Sequence, residues 1–374
     1  MPGKTQEALY SEIDLELSWS EDALPQVERT KHVHSLHPYL GKFIPQLVEA
    51  FLHRYFKRTD SIYDPFVGSG TTLVEANVFG AHAVGCDISA FNCLLSRVKT
   101  TVYSLGALEL GLKGALEDAR RNVSADDATN EWLLAWYSPK ARSELVTYRT
   151  MAQKLEDPFW DVAKIILSRA ARSARQTTHF DLDFPRRPQR TQYWCHKHKR
   201  TCCPVDEAMK FLRRYTSDTV RRLREFSALR SGAEVEVLHA DARTAELPLQ
   251  PTGIITSPPY PGLIDYHEQH RYAYELLGLE DRRVDEIGPA AAGQSRAAVA
   301  RYVDAMSDVF SNARAQLPQG APVVIVVNDS KELYPEILRR AGLKPEEQYR
   351  RHVNRRTGRR AGEFFEDVLV CATI

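Results

Sequence analysis

The chain has 374 residues, 43% of them hydrophobic and 26% charged, with a formal net charge of +1 at pH 7. This composition is typical of a soluble globular protein with two domains, or one large domain with an insertion, and excludes a uniformly basic nucleic-acid binder. No apolar run reaches membrane length and the first residues lack the apolar stretch of a signal peptide, so we predict a cytoplasmic protein without a membrane partner. Six scattered cysteines fit reduced thiols in that compartment.

Strands and helices begin to alternate near residue 61. Residues 61–63 form a short apolar strand, which a glycine-containing turn joins to a helical stretch at 71–76. A second strand at 81–86 ends on Asp87. This alternation predicts an α/β fold with a mostly parallel sheet and helices on its faces.

The alternation stops over residues 105–229, where the periodicity is mainly helical and an irregular stretch at 177–204 is rich in proline, aromatic and basic residues. Further strands are predicted at 235–241, 253–256, 322–327, 348–353 and 367–373. The simplest interpretation is one sheet domain, interrupted by an insertion. We therefore divide the chain into an N-terminal segment with the first part of the sheet domain, a helical and basic insertion, and the second part of the sheet domain, at 1–104, 105–231 and 232–374.

Three predicted strand ends carry groups that suit a bound ligand. Ligands of open parallel sheets bind at the carboxyl ends of the strands. Gly68 and Gly70 let the backbone approach a ligand, Asp87 can accept hydrogen bonds from ribose hydroxyls, and Asp241 can accept one from an adenine amine. The nucleotide motifs are absent: no lysine follows Gly70 as in a P-loop, and Leu73 stands where the dinucleotide fingerprint needs glycine.

The segment 64–72, Asp-Pro-Phe-Val-Gly-Ser-Gly-Thr-Thr, resembles the cofactor motif of the DNA amino-methyltransferases that carry Ser-Pro-Pro-Tyr. The His-Pro-Tyr triplet at 37–39 and the segment 42–45 resemble the element that closes over the methionine end of the cofactor in that family. The resemblance covers roughly 31–100 and 232–374 and implies the family's seven-stranded, Rossmann-like sheet and S-adenosylmethionine as cofactor. The residues assigned to the cofactor are His37, Pro38, Tyr39, Phe43, Pro45, Asp64, Pro65, Phe66, Gly68, Gly70, Thr71, Thr72, Asp87, Ile88, Asp241 and Ala242.

The tetrapeptide Ser257-Pro258-Pro259-Tyr260 follows the fourth strand and is the predicted catalytic motif. The exocyclic amine of a base is a poor nucleophile because its lone pair is delocalised into the ring. Acceptors around the amino hydrogens favour a pyramidal nitrogen, and the Ser257 hydroxyl and Pro258 carbonyl can supply them on a backbone that consecutive prolines restrict. Tyr260 offers a face on which a base rotated out of the duplex can stack. The methyl group then transfers directly.

Alternatives to this function require other residues. Methylation of cytosine carbon 5 needs a Pro-Cys pair in the equivalent loop, and Cys203-Pro204 has the reverse order and lies in the insertion. Serine at the first position of the motif is associated in the family with cytosine N4, whereas aspartate or asparagine is associated with adenine N6. We therefore favour site-specific cytosine-N4 methylation, as in a restriction–modification system with a cognate endonuclease, and keep three alternatives open: adenine N6, an RNA base amine, and a silent nucleic-acid-binding module.

Basic residues concentrate in two segments that could contact duplex DNA. Residues 186–230 hold thirteen Lys or Arg and four acids, a local charge of +9, and residues 350–360 hold six arginines and no acid. Phosphate contacts dominate affinity for nucleic acid, so we expect a protein held at the nucleoid through its DNA. Only the insertion is large enough to recognise a target sequence, and whether it contacts bases or only the backbone stays open. The residues assigned to DNA are Arg186, Arg187, Arg190, Lys197, Lys199, Arg200, Arg355, Arg356, Arg359 and Arg360.

Cysteines and histidines cluster within the first basic segment, at Cys195, His196, His198, Cys202 and Cys203. Their side chains are suitable zinc ligands. Their spacing is cramped, matches no standard zinc finger and lacks a second paired cluster. The sequence therefore favours reduced thiols beside a basic surface, and no metal site is predicted.

Overall fold

The computed structural model describes residues 17–19, 24–41, 44–123, 129–179, 181–182, 185–353 and 365–374. Nine strands occur among them: β1 Ser61–Asp64, β2 His82–Asp87, β3 Tyr193–Cys195, β4 Arg200–Cys202, β5 Val235–His239, β6 Gly253–Thr256, β7 Pro322–Val327, β8 Leu343–His352 and β9 Phe365–Thr373. Seven form one sheet in the order β5-β2-β1-β6-β7-β9-β8, and β3 pairs with β4 in a separate hairpin. The predicted seven-stranded, mostly parallel sheet is confirmed: the first five strands of that order run parallel, while β9 is antiparallel to both neighbours.

Thirteen helices accompany these strands in the described residues: α1 Gln26–Arg29, α2 Pro45–Tyr55, α3 Thr71–Phe79, α4 Ala90–Thr100, α5 Leu105–Arg121, α6 Glu131–Trp136, α7 Pro139–Ala152, α8 Phe159–Ala174, α9 Met209–Ser227, α10 Tyr266–Gln269, α11 Arg271–Leu277, α12 Arg296–Ala315 and α13 Tyr334–Ala341. None of the helices in these parts of the chain has the length and apolarity needed to cross a bilayer.

The side chains of neighbouring residues in the central strands point to opposite faces of the sheet, because side chains alternate along a strand. Ile62 packs with α2 and α3 on one face, and the adjacent Tyr63 packs with α12 and α13 on the other. Ile255 and Ile254 divide between the same two faces. Both faces of these central strands are therefore buried, which is why β1, β6 and β7 are largely apolar.

The edge strand β8 begins at Leu343, five residues before the predicted position 348. Its first half is largely exposed and polar, and it contains Pro345 at a register irregularity. Proline is tolerated at a sheet edge because no ladder hydrogen bond is lost there. The exposed side chains gave this half of the strand no apolar pattern.

The predicted insertion contains α5 to α9 and the hairpin of β3 and β4. Its apolar core includes Leu145 and Ile166 together with Phe91 and Leu94 of α4 and Tyr272 of α11. The core of the insertion is thus continuous with helices of the sheet domain.

Candidate active site

The order of the strands reverses between β1 and β6. The chain runs outward from β1 to β2 and β5 on one side, and from β6 to β7 on the other. A crevice at the carboxyl ends of the strands is expected at such a reversal, because the connections on its two sides pass over opposite faces. The segments that follow β1 and β6 meet there.

One cavity lies at this reversal, and we call it the strand-end cavity. Residues from both predicted motifs line it, so the structure brings the two motifs together. The lining consists of Tyr39, Gly41, Pro65, Phe66, Val67, Gly68, Ser69, Thr71, Asp87, Ile88, Ser89, Asn92, Asp241, Ala242, Ser257, Pro259, Ile264, Tyr266, Asp285, Glu286 and Ile287.

The loop after β1 forms one wall of the strand-end cavity and depends on glycine at two positions. Gly68 has a φ of +48°, and a Cβ there would stand 2.9 Å from the hydroxyl of Tyr39. Gly70 has a φ of +77°, and a Cβ there would stand 2.8 Å from the Ser96 hydroxyl of α4. Gly68 therefore keeps the cavity open, whereas Gly70 lets the loop pack on α4 and does not itself line the cavity.

Asp87 ends β2 with its carboxylate at the strand-end cavity. The backbone amides of Gly68 and Ser89 donate to it at 2.9 and 2.8 Å, and the Asn92 amide donates to both oxygens at 3.1 Å. Burial raises the pKa of Asp87, and the same amide hydrogen bonds oppose that rise. These donors hold the carboxylate in one orientation and couple it to the glycine loop.

Asp241, just beyond β5, also lines the strand-end cavity but is held differently. Arg243 donates to its two oxygens from Nε at 2.9 Å and Nη2 at 2.5 Å. Burial pushes the pKa of Asp241 upward, but the hydrogen bonds and charge of Arg243 outweigh it and lower that pKa. Asp241 is therefore an ionised acceptor, and a carboxylate has further lone pairs for a ligand.

Asp64 lies behind the wall of the strand-end cavity. Its Oδ1 accepts from the Thr256 hydroxyl at 2.7 Å and from the Phe66 amide at 3.1 Å. Burial raises the pKa of Asp64 to about 6, against those hydrogen bonds. Asp64 thus joins the ends of β1 and β6, and the predicted direct contact with the cofactor stays a prediction.

The Ser-Pro-Pro-Tyr segment leaves β6 with only part of its surface facing the strand-end cavity. Ser257 and Pro259 line the cavity, and Pro258 is buried. The Pro259 carbonyl accepts from the Tyr302 hydroxyl of α12 at 2.9 Å, and the Tyr260 hydroxyl donates to Glu366 of β9 at 3.0 Å. The segment is held at both of its last two residues, which limits the positions that Ser257 can take.

Several predicted cofactor residues do not line the strand-end cavity. His37 is buried, and its Nε2 lies 3.0 Å from the Ser168 hydroxyl of α8. Thr72 donates to the Ile255 carbonyl at 3.2 Å and so joins α3 to β6. Pro38 and Pro45 lie elsewhere, and Phe43 lies outside the described residues.

Other lining residues were missed by the sequence analysis. Asn92 donates to Asp87 and, at 3.2 Å, to the Tyr39 hydroxyl. Tyr266 stacks on Tyr39 with ring centroids 5.6 Å apart, and Glu286 contacts His267 behind the opposite wall. Asn92 lies five residues after Asp87, which is the one signal that could have indicated it. Nothing in the sequence marks Glu286.

The basic residues of the insertion fall into two groups. On α9, Asp218 accepts from Arg221 at 2.7 Å and Arg222 at 2.9 Å, and Arg224 reaches Glu109 at 2.7 Å. The positive charge of α9 is therefore partly neutralised within the protein. Before α9, six predicted DNA-contacting residues are exposed: Arg186, Arg187, Arg190, Lys197, Lys199 and Arg200. The other four, Arg355, Arg356, Arg359 and Arg360, lie outside the described residues.

Comparison with known proteins gave the following matches. A family model described as DNA methylase, for the N6/N4 class, matches residues 5–97. The Type II methyltransferase M.MjaII of Methanocaldococcus jannaschii is 36% identical over 97% of this chain and 84% of its own length. The Type II methyltransferase M.MvaI of Kocuria varians is 38% identical over 18% of this chain and 16% of its own. Among solved structures, TrmN from Thermus thermophilus aligns over 90% of this chain and 50% of its own, at 15% identity and a TM-score of 0.34.

Proposed function

Because the chain belongs to the N6/N4 DNA methylase family, we propose that it methylates the exocyclic N4 amine of cytosine in duplex DNA. Family membership makes the protein an S-adenosylmethionine-dependent DNA methyltransferase related to the Type II enzymes, which confirms the resemblance. The choice of base is the proposal. One observation supports methyl transfer to an amine at this site: Ser257 faces the same cavity as Asp87 and Gly68. The choice of cytosine rests on the serine at the first position of the motif.

The strand-end cavity has residues that fit S-adenosylmethionine. The fit is supported by Gly68, where a Cβ would close the cavity against Tyr39, and by the oriented carboxylate of Asp87. We assign Asp87 to the ribose hydroxyls, Asp241 to the adenine amine, and the glycine loop with Tyr39 to the methionine end. When bound, the cofactor supplies an electrophilic methyl group on a sulfonium.

The catalytic residues activate and orient the target amine. The Ser257 hydroxyl accepts a hydrogen bond from one amino hydrogen and the Pro258 carbonyl accepts one from the other, which localises the nitrogen lone pair toward the methyl donor. After the methyl group has moved to nitrogen, the amine releases one proton to solvent. Tyr302 and Glu366 fix the backbone and side chain that follow, so these acceptors need little rearrangement. The face of Tyr260 supports the base after it leaves the duplex.

Cytosine is favoured over adenine because serine occupies the first position of the motif. Adenine N6 is the alternative, since its amine has the same donor pattern and the same acceptors would serve it. The exposed cations of residues 186–200 would bind the phosphates of the DNA backbone. We also propose a cognate restriction endonuclease as functional partner and a cytoplasmic, nucleoid-bound location.

The test incubates the purified full chain with isotopically labelled S-adenosylmethionine and either unmethylated duplex DNA or tRNA. The products are digested to nucleosides and identified by mass spectrometry. N4-methylcytosine in DNA supports the proposal, whereas N6-methyladenine replaces the base. Label confined to tRNA, or DNA binding without any methylated nucleoside, overturns it. Methylated DNA that resists one restriction endonuclease would identify the partner's recognition sequence.

A further inference from the structure

Four metal-ligating side chains converge in the insertion, away from the strand-end cavity. They are Cys195 at the end of β3, His198 in the turn, Cys202 at the end of β4, and His179 from the segment before the hairpin. One donor atom from each lies within 4.8 Å of all the others. We propose that this Cys/His cluster binds one structural Zn²⁺ ion, a site that the spacing along the chain did not predict.

The separations between donor atoms match a tetrahedral zinc site. Zinc lies about 2.3 Å from sulfur and about 2.0 Å from nitrogen, so tetrahedral angles place sulfur and nitrogen ligands about 3.5 Å apart. The Sγ of Cys195 lies 3.5 Å from Nδ1 of His179 and 3.7 Å from Nδ1 of His198. The Sγ of Cys202 lies 3.5 Å from the same Nδ1 of His198. Two sulfur and two nitrogen ligands in this geometry are typical of zinc.

The local backbone is built to direct these ligands inward. Cys195 and Cys202 lie on the two antiparallel strands, and the Lys199 amide donates to the Cys195 carbonyl at 2.8 Å with Lys199 at a φ of +53°. This tight turn aims His198 back at the two thiols. The Tyr193 hydroxyl accepts from the His179 amide at 3.0 Å, which holds the fourth ligand against the hairpin. The same hydroxyl lies 2.9 Å from Nδ1 of His179. When zinc binds, the lone pair of this Nδ1 would coordinate the metal instead.

The hairpin has little apolar packing of its own. Within 185–207, all of which the structure describes, Cys195 and Cys202 are the only buried residues. Strands of three residues without an apolar face are marginal alone, and a metal ion can supply the missing folding free energy.

The experiment measures metal content in the full-length protein, purified through chelator-treated buffer and analysed by inductively coupled plasma mass spectrometry. The wild type should carry about one zinc per chain, and the zinc content of the Cys202→Ser variant should be lower by at least about fivefold. Cys203→Ser is the matched control, because Cys203 is the adjacent exposed cysteine outside the cluster, and it should keep the zinc. His179→Ala should lose zinc like Cys202→Ser.

Cobalt substitution tests the same site without any variant. Co²⁺ added to metal-depleted wild type should give the intense visible bands of a tetrahedral thiolate site, and Zn²⁺ should displace them. The proposal is overturned if the wild-type protein contains no more zinc than the buffer and gives no such bands with Co²⁺. A mass that shows a disulfide between Cys195 and Cys202, or equal zinc loss in Cys203→Ser and Cys202→Ser, also overturns it. None of these readouts depends on methyl transfer.

Discussion

The strand-end cavity and the hairpin of β3 and β4 hold their polar side chains by different means. In the cavity, strands of one buried sheet position the carboxylates, and backbone amides fix Asp87 from two sides. In the hairpin, cations such as Lys197 are exposed, and the buried residues are two cysteines. The first region is organised by the core of the fold and the second by local contacts, so substitutions should separate chemistry from DNA affinity.

We expect Ser257→Ala to give the largest difference between the effect on catalytic rate and the effect on DNA affinity. Removing one preorganised polar group from a reacting centre typically lowers kcat by about 100- to 1,000-fold, and loss of this acceptor should fall in that range. The Kd for DNA should stay within about twofold, because Ser257 is not among the phosphate-binding groups. Single-turnover kinetics and fluorescence anisotropy measure the two quantities. Ser227→Ala, on the exposed end of α9, is the control, and a wild-type rate in Ser257→Ala would contradict the assigned role.

The second effect is a pH dependence of the free energy of unfolding, and it arises from Asp64 in the sheet. Because the pKa of Asp64 rises from 3.8 to about 6 on folding, the folded state binds this proton more tightly than the unfolded state. Asp64 therefore makes the free energy of unfolding fall as the pH rises through that window, by about 3 kcal/mol at most. Asp64→Asn should lack this component in urea titrations at successive pH values. The exposed variant Asp304→Asn should retain the wild-type slope, and an equal slope in Asp64→Asn would disprove the assignment.

A smaller effect is expected on the affinity for the cofactor. Asp87→Asn removes a charge and one of the acceptor oxygens, and a hydrogen bond to a charged group contributes about 1.5–3 kcal/mol. The Kd for S-adenosylmethionine should rise by about 10- to 100-fold in isothermal titration calorimetry. Asp118→Asn on the exposed face of α5 should bind like the wild type. Unchanged binding in Asp87→Asn would move the ribose site elsewhere.

The smallest effect concerns the hairpin and its salt dependence. The double variant Lys197→Gln, Lys199→Gln removes two exposed charges and should flatten the slope of log K for DNA against log salt by about 1.8. Arg221→Gln, Arg224→Gln is the matched control, since both arginines are paired with acids of the protein. Equal changes in the two double variants would mean that ion pairing within the protein does not decide which cations meet DNA.

The sequence was sufficient to predict the convergence of the two motifs. Asp87, Asp241 and Ser257 each follow an apolar strand, and strand ends meet at one edge of a parallel sheet. Glu286 and Tyr266 were not predicted, because they come from irregular or very short elements whose position depends on tertiary packing. His179 was missed for the same reason, since fifteen residues separate it from Cys195 and no spacing rule joins them. The sequence also could not show that Asp64 lies behind the cavity wall.

The continuous core of the insertion and α4 matters for any exchange of the insertion between relatives. A chimera that replaces residues 105–231 would keep Phe91, Leu94 and Tyr272 of this chain, yet these side chains pack against its own insertion helices and not against the donor's. Mismatched packing in such a core costs about 1–3 kcal/mol. The better crossover points are the end of β2 and the start of β5, because these two strands pair directly in the sheet, with α11 exchanged as well. The unit that packs as one body is therefore larger than the insertion alone.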